Sequence, residues 1–120
     1  MSYKMTGGTG SFRYLAPEVY RREAYGKSVD VFSFAMIVHE MFQGRPSNMA
    51  ESEEEVADRR AYEDTRPSLS SFIFPEEIKI LLRRSCHKNP ESRPSFEEII
   101  TELEILQDSL DIKACCWTLF

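Results

Sequence analysis

No run of about 18 apolar residues occurs in this chain, so no segment reads as a membrane-spanning helix. Cysteine is scarce: Cys86, Cys115 and Cys116 make an odd count, and two of the three are adjacent. That excludes a disulfide framework and favours a reducing compartment. Cys86 and His87 have no matching second pair, so a zinc site is not expected. Basic charge is in deficit as well, with 15 Lys and Arg against 20 Asp and Glu, leaving a net charge of −5. With no basic field to hold phosphates, nucleic acid is excluded as an expected partner. The N-terminal Met1-Ser2-Tyr3-Lys4 lacks the apolar stretch of a secretory leader. Ser2 stands where myristoylation needs Gly, and Trp117 stands where prenylation needs Cys. A cytoplasmic location is the expectation.

What is present suits one folded domain. The 120 residues are 42% hydrophobic and 29% charged, too apolar for a disordered chain. A chain this long can bury roughly two-thirds of its unfolded surface. Residues 1–15 are rich in Gly, Thr and Ser without apolar periodicity and read as a loop. Pro17 suits the first turn of a short helix. From Val29 to Phe42 the chain is almost continuously apolar, and its length favours a helix over a strand. Ser28 is the expected cap and Gly44 the expected stop. Apolar side chains all round predict burial on every side of this helix, about 28–43. The acidic run Glu51-Ser52-Glu53-Glu54-Glu55 reads as a solvated helix start or loop, with an acidic docking patch as the sharper alternative. Further helices are predicted at about 52–62, at about 75–87 with Ile78, Leu81, Leu82 and Cys86 on one face, and at about 95–110. In the last, Ser95 and Glu98 stand in capping-box spacing and Ile99, Ile100, Leu103 and Leu106 form the apolar face. The apolar tail 111–120 has neither cap nor period and stays unassigned.

Three stretches together resemble the second half of a eukaryotic protein kinase domain. Gly10-Ser11-Phe12-Arg13-Tyr14-Leu15-Ala16-Pro17-Glu18 looks like the end of an activation segment with its Ala-Pro-Glu signature. Ser28-Val29-Asp30-Val31-Phe32-Ser33-Phe34-Ala35 looks like the start of the central buried helix. Cys86-His87-Lys88-Asn89-Pro90-Glu91-Ser92-Arg93-Pro94 is similar to the segment before the final helix. The wording from Met5 to Tyr14 most resembles the Raf-like and integrin-linked-kinase-like serine/threonine kinases of plants. The implied fold is mainly α: the helical C-terminal lobe, without the sheet of the N-terminal lobe. The implied boundaries are an activation-segment loop at 1–15 and a partial kinase domain at 16–110.

The resemblance also implies roles. Glu18 and Arg93 are expected to form a buried ion pair tying the activation segment to the helical core. Asp30 is expected to accept N–H bonds from a catalytic loop, although as a carboxylate at a helix start it would also simply meet the dipole. Ser11, Phe12 and Tyr14 are expected to position protein substrate, and Ser11 favours Ser/Thr specificity. Thr6 and Thr9 are candidate phosphosites as well as ordinary turn hydroxyls. The sequence departs from the family with Phe32 for a common Trp, Ala35 for Gly and His87 for Trp. Arg45-Pro46-Ser47-Asn48 replaces the usual Pro-Pro-Phe.

Phosphoryl transfer needs a glycine-rich cover, a strand lysine, an Asp base, and Asn plus Asp for magnesium. Gly8-Thr9-Gly10-Ser11-Phe12-Arg13 begins like a nucleotide loop but ends in Arg13. Gly26-Lys27-Ser28 ends like a Walker A loop, but Arg21 stands where its first Gly belongs. Neither His-Arg-Asp nor Asp-Phe-Gly occurs. The intact family is an ATP-dependent phosphotransferase using Mg-ATP. This chain is expected to be a part of such an enzyme that lacks cofactor and catalytic residues and is inactive alone. The alternative is a non-catalytic protein-binding or regulatory lobe. Protein substrates or regulators are the expected partners, with self-association through apolar surface left uncovered.

Overall fold

The second helix is the element the others pack on, and its limits follow from local chemistry. The computed structural model describes the backbone of residues 12–118 and the side chains of residues 12–110. In chain order the helices are α1 (Pro17–Tyr20), α2 (Ser28–Gln43), α3 (Glu53–Tyr62), α4 (Glu76–Ser85) and α5 (Phe96–Thr118). Single 3-10 turns occupy Phe12–Tyr14 and Pro90–Ser92. The fold is mainly α, and no strand occurs among the described residues.

α2 contains neither Pro nor Gly, and it stops at Gly44, whose φ of 75° suits a residue without Cβ. The Gly44 N–H closes the last turn on the Glu40 carbonyl at 2.8 Å. Ser28 is not the cap expected of it: it lies inside the first turn, and the capping position falls to Lys27, which offers no side-chain bond. Asp30 sits in that turn, where a carboxylate meets the positive end of the helix dipole.

Burial on α2 is a stripe rather than a full circumference. Val31, Phe32, Ala35, Met36 and His39 are buried, recurring at one-, three- and four-residue steps along one side. Ile37 and Met41 on the other side are 46% and 74% exposed. The expectation of burial all round therefore fails. The turn Phe12–Tyr14 and helix α4 both pack on α2, and among the described residues nothing covers Ile37 and Met41.

Around the stripe lie Ala16, Phe74, Ile78, Leu82 and Cys86 as one apolar cluster. Val31, Leu81 and Ile99 form a smaller one where α5 arrives. Phe34 and Phe96 close its edge in a T-shaped contact with centroids 5.7 Å apart. α3 packs against α1 and the Phe12–Tyr14 turn. Its start is capped by Ser52, whose Oγ accepts the Glu55 N–H at 3.2 Å. Glu53, Glu54 and Glu55 fill the first turn and Arg59 and Arg60 the last, both favourable to the dipole.

Two boundaries differ from expectation. α4 ends at Ser85 rather than near 87. There the Cys86 carbonyl accepts Arg66 Nε at 2.7 Å and the His87 carbonyl accepts Arg93 Nε at 2.9 Å. Side chains from elsewhere thus satisfy carbonyls that would otherwise need another helical turn. α5 begins where expected, with Ser95 Oγ accepting the Glu98 N–H at 3.1 Å. It then runs past 110 to Thr118, so the backbone of the unassigned tail is helical through that residue. No Pro or Gly occurs between Phe96 and Thr118 to stop it. Of its expected apolar face, Ile99 is buried, Leu103 and Leu106 pack partly, and Ile100 is 53% exposed.

No atom lies within 4 Å of the position a Cβ would take at Gly44, so the backbone alone penalises a side chain there. Gly44→Ala should lower unfolding free energy by about 1 kcal/mol. The midpoint of a urea titration followed by circular dichroism checks this.

Candidate functional site: the anchor of residues 12–20

The segment Phe12–Tyr20 has only one 3-10 turn and one four-residue helix, so side chains from other elements hold it. The deepest of these contacts is an ion pair. Arg93 Nη1 reaches Glu18 Oε2 at 2.7 Å and Nη2 reaches Oε1 at 3.0 Å, a bidentate fork. The two side chains are 0% and 4% exposed. The remaining donor capacity of Arg93 goes to carbonyls: Nη1 to Ser28 at 3.1 Å and Nε to His87 at 2.9 Å. One guanidinium thereby joins α1, the start of α2 and the end of α4.

Phe32 lies beneath it, fully buried. The Arg93 guanidinium carbon stands 5.2 Å from the ring centroid and that of Arg66 stands 5.1 Å from it. Phe32 therefore contacts two cations through its π-faces, an attraction that strengthens away from water. Arg66 also donates to the Thr65 carbonyl at 2.7 Å and pairs with Asp64 at 3.1 Å.

Arg13 and Arg60 make a second clamp. Arg13 donates to the carbonyls of Ser47, Asn48 and Glu51 at 3.0, 2.9 and 2.7 Å. It thus fixes the irregular connection between α2 and α3. Arg60 in turn donates to the Arg13 carbonyl and, at 3.3 Å, to Ser47 Oγ. Arg60 is 1% exposed and no carboxylate pairs with it among the described residues. Burial, with Arg66 nearby, pulls its guanidinium well below the ordinary arginine range, to about 10. The packing around Arg45-Pro46-Ser47-Asn48 is thus organised by arginines from outside that loop.

The residues singled out in the sequence fall in several places. Glu18 and Arg93 meet. Tyr14 is partly buried: its hydroxyl donates to Glu40 Oε2 at 2.6 Å, and its carbonyl accepts Ser33 Oγ at 2.6 Å. Phe12 makes a T-shaped contact with Tyr20 at 6.3 Å. Asp30 is exposed and has no partner among the described residues. Ser11, Thr6 and Thr9 lie outside the described residues. Arg13, Arg60 and Arg66 escaped the sequence reading. For Arg60 a signal existed: it follows Val56 and Ala57 at helical spacing, on the face that becomes buried.

Among the described residues no three His, Cys, Asp or Glu side chains converge as a metal ion would need. The donor set here does not fit Mg-ATP. No helix among the described residues is long and apolar enough to cross a membrane.

The arrangement is that of a helical lobe to which residues 12–20 are fastened by buried arginine contacts. The chain belongs to the protein kinase domain family, which it matches over residues 1–103. It is 41% identical over 108 residues to serine/threonine-protein kinase VIK of Arabidopsis thaliana, covering 90% of this chain and 24% of that protein. It is 43% identical over 96 residues to serine/threonine-protein kinase 12 of the same plant, covering 78% of this chain and 21% of that protein. Identity to integrin-linked protein kinase 1, also of Arabidopsis thaliana, is 38% over 93 residues, covering 76% of this chain and 19% of that protein. The likeness to plant integrin-linked-kinase-like proteins expected from Met5 to Tyr14 is met by this last relative. The chain spans about a quarter or less of the length of these curated relatives.

Two measurements test the anchor. Arg93→Ala should destabilise the fold by about 3–5 kcal/mol, because it strands a buried carboxylate. Arg84→Ala, which breaks partly exposed pairs with Glu98 and Glu102, should cost under about 1 kcal/mol. Denaturant midpoints of the two variants give the comparison. Tyr14 supplies a pH signature. The hydrogen bond to Glu40, then burial, raises its phenol above the ordinary 10.0. The stability it contributes is present below pH 10 and is lost as pH rises through the raised folded value. In the difference between wild type and Tyr14→Phe, phenolate absorbance should appear later than for a free tyrosine, and Glu40→Gln should bring it earlier.

Proposed function

We propose that this chain is the substrate-side helical lobe of a serine/threonine protein kinase. It positions the end of the activation segment but does not itself carry out phosphoryl transfer. The observation that carries this reading is the buried, bidentate Glu18–Arg93 pair, which fastens residues 12–20 to the helical core. Serine/threonine rather than tyrosine specificity is favoured by Ser11 and by the likeness to two serine/threonine-protein kinases of Arabidopsis thaliana.

In this reading Ser11, Phe12 and Tyr14 serve to position a protein substrate, and Tyr14 keeps its place through Glu40 and Ser33. Asp30, an exposed carboxylate without a partner among the described residues, awaits N–H donors from a catalytic loop. That loop, the strand lysine and the magnesium-binding residues have no counterpart in these 120 residues. When bound, Mg-ATP supplies the transferable phosphoryl group, and the residues that would hold it belong to the rest of a kinase domain. Phosphate on Thr6 or Thr9 would add nearly two negative charges close to Arg13 in sequence. A reducing, cytoplasmic setting fits the odd, partly adjacent cysteines.

The test is calorimetric. Titrating Mg-ATP into the 120-residue chain should give no heat of micromolar binding, and incubation with a Ser/Thr peptide should transfer no phosphate. Micromolar binding or measurable turnover would place catalytic groups in this chain and overturn the proposal.

A further inference from the structure

Arg60 is buried among Val56, Ala57 and Ala61 on the inner face of α3, and its charge does not explain its place there. Both of its hydrogen-bond acceptors are neutral. Arg66 and Arg13 stand close enough to oppose its charge. Glu51 offsets part of that opposition, but Glu51 is itself paired with Arg59. The Arg60 Nε has no hydrogen-bond partner. A buried cation with like-charged neighbours and an unsatisfied N–H is a place where an apolar side chain of similar volume serves stability about as well.

What the guanidinium does, and an apolar side chain could not, is reach two segments outside α3. Nη1 donates to the Arg13 carbonyl, inside the turn Phe12–Tyr14. Nη2 donates to Ser47 Oγ at 3.3 Å, in the connection after α2. The next carbonyl of the turn, that of Tyr14, accepts Ser33 Oγ from α2 at 2.6 Å. Consecutive carbonyls of one short turn are thus gripped by two different helices. A grip at one carbonyl would leave the turn free to swivel about it, whereas grips at two also fix its rotation. That rotation sets how the Phe12 and Tyr14 side chains stand relative to each other.

We infer that Arg60 is a positioning residue for protein substrate: it holds the Arg13 carbonyl and so fixes the turn that carries Phe12 and Tyr14. It acts through that turn, since at 1% exposure it touches no substrate itself. The inference rests on the reading of Phe12 and Tyr14 as substrate-positioning residues. It adds that the price of a buried, unpaired cation on α3 is met by order in the turn rather than by stability of the fold.

Arg60→Met in the 120-residue chain tests this, because Met keeps much of the volume and removes the donors. The urea midpoint should stay within about 0.3 M of wild type. Leu15 reports on the turn, since its N–H donates to the Phe12 carbonyl at 3.3 Å. Hydrogen exchange at Leu15 should become at least about tenfold faster. The Ile99 N–H, bonded to the Ser95 carbonyl at the start of α5, is the control and should not change. Peptides with a central Ser or Thr and degenerate flanks, titrated into the isotope-labelled chain, should shift the Phe12 and Tyr14 amides. R60M should weaken that binding about tenfold. Unchanged exchange at Leu15 overturns the inference. So does a lowered midpoint with Leu15 and Ile99 accelerated alike, or failure of R60M to fold, since either makes Arg60 a plain fold residue. Unchanged peptide affinity with a loosened turn overturns it too. Absence of any peptide shift in wild type is a different result: it overturns the substrate reading itself, and the role given to Arg60 goes with it, whatever Leu15 does.

Discussion

The lobe depends on one charge held out of water. Arg93 would be costly where it lies without a counter-charge, because an unpaired buried cation loses far more hydration than it recovers. Glu18 supplies the counter-charge in a two-point fork, and the carbonyls of Ser28 and His87 take further donors. The arrangement stabilises only as a set. Its partners come from three elements, so α1, the start of α2 and the end of α4 cannot drift apart without exposing it. Phe32 forms the base of this contact, with guanidinium groups of Arg66 and Arg93 each about one ring-contact distance away.

The same device recurs wherever regular structure runs out. The connections after α2 and after α3 have few backbone partners of their own. Arg13 takes three carbonyls of the first, and Arg66, within the second, takes the Arg60 carbonyl before it and the Cys86 carbonyl beyond α4. Guanidinium suits this work because its five donors spread in a fixed plane, several of which can reach carbonyls from different segments. Arg60 is the extreme case. It sits among the buried residues of α3 with only neutral acceptors, and its proton affinity falls accordingly. Residues 12–20 are thus held by a layer of arginines on a core of helices.

Much of this was legible beforehand. The limits of α2 followed from an apolar run bounded by Gly44, and the start of α5 from Ser95, because capping is a contest between near neighbours. The buried face of α4 followed from the spacing of Ile78, Leu81 and Leu82. The ends of α4 and α5 did not. α4 stops where Arg66 and Arg93 take the carbonyls of Cys86 and His87 just past its end, an event set by residues on either side of that helix. α5 continues because nothing in it forbids continuation, which an absence of caps does not announce. Full burial of α2 was the wrong reading, since an apolar residue can equally belong to a surface left open to a neighbour, as Ile37 and Met41 do.

Taken alone, the order of residues determined the helical class, the helix starts and the likeness of three short stretches to a kinase domain. These rest on periods and caps within a few residues, or on motifs compared as strings. The tertiary structure alone decided which arginines are buried and which carbonyls they satisfy. Those outcomes depend on distances between residues far apart in the chain, and side-chain hydration changes only when such residues are brought together.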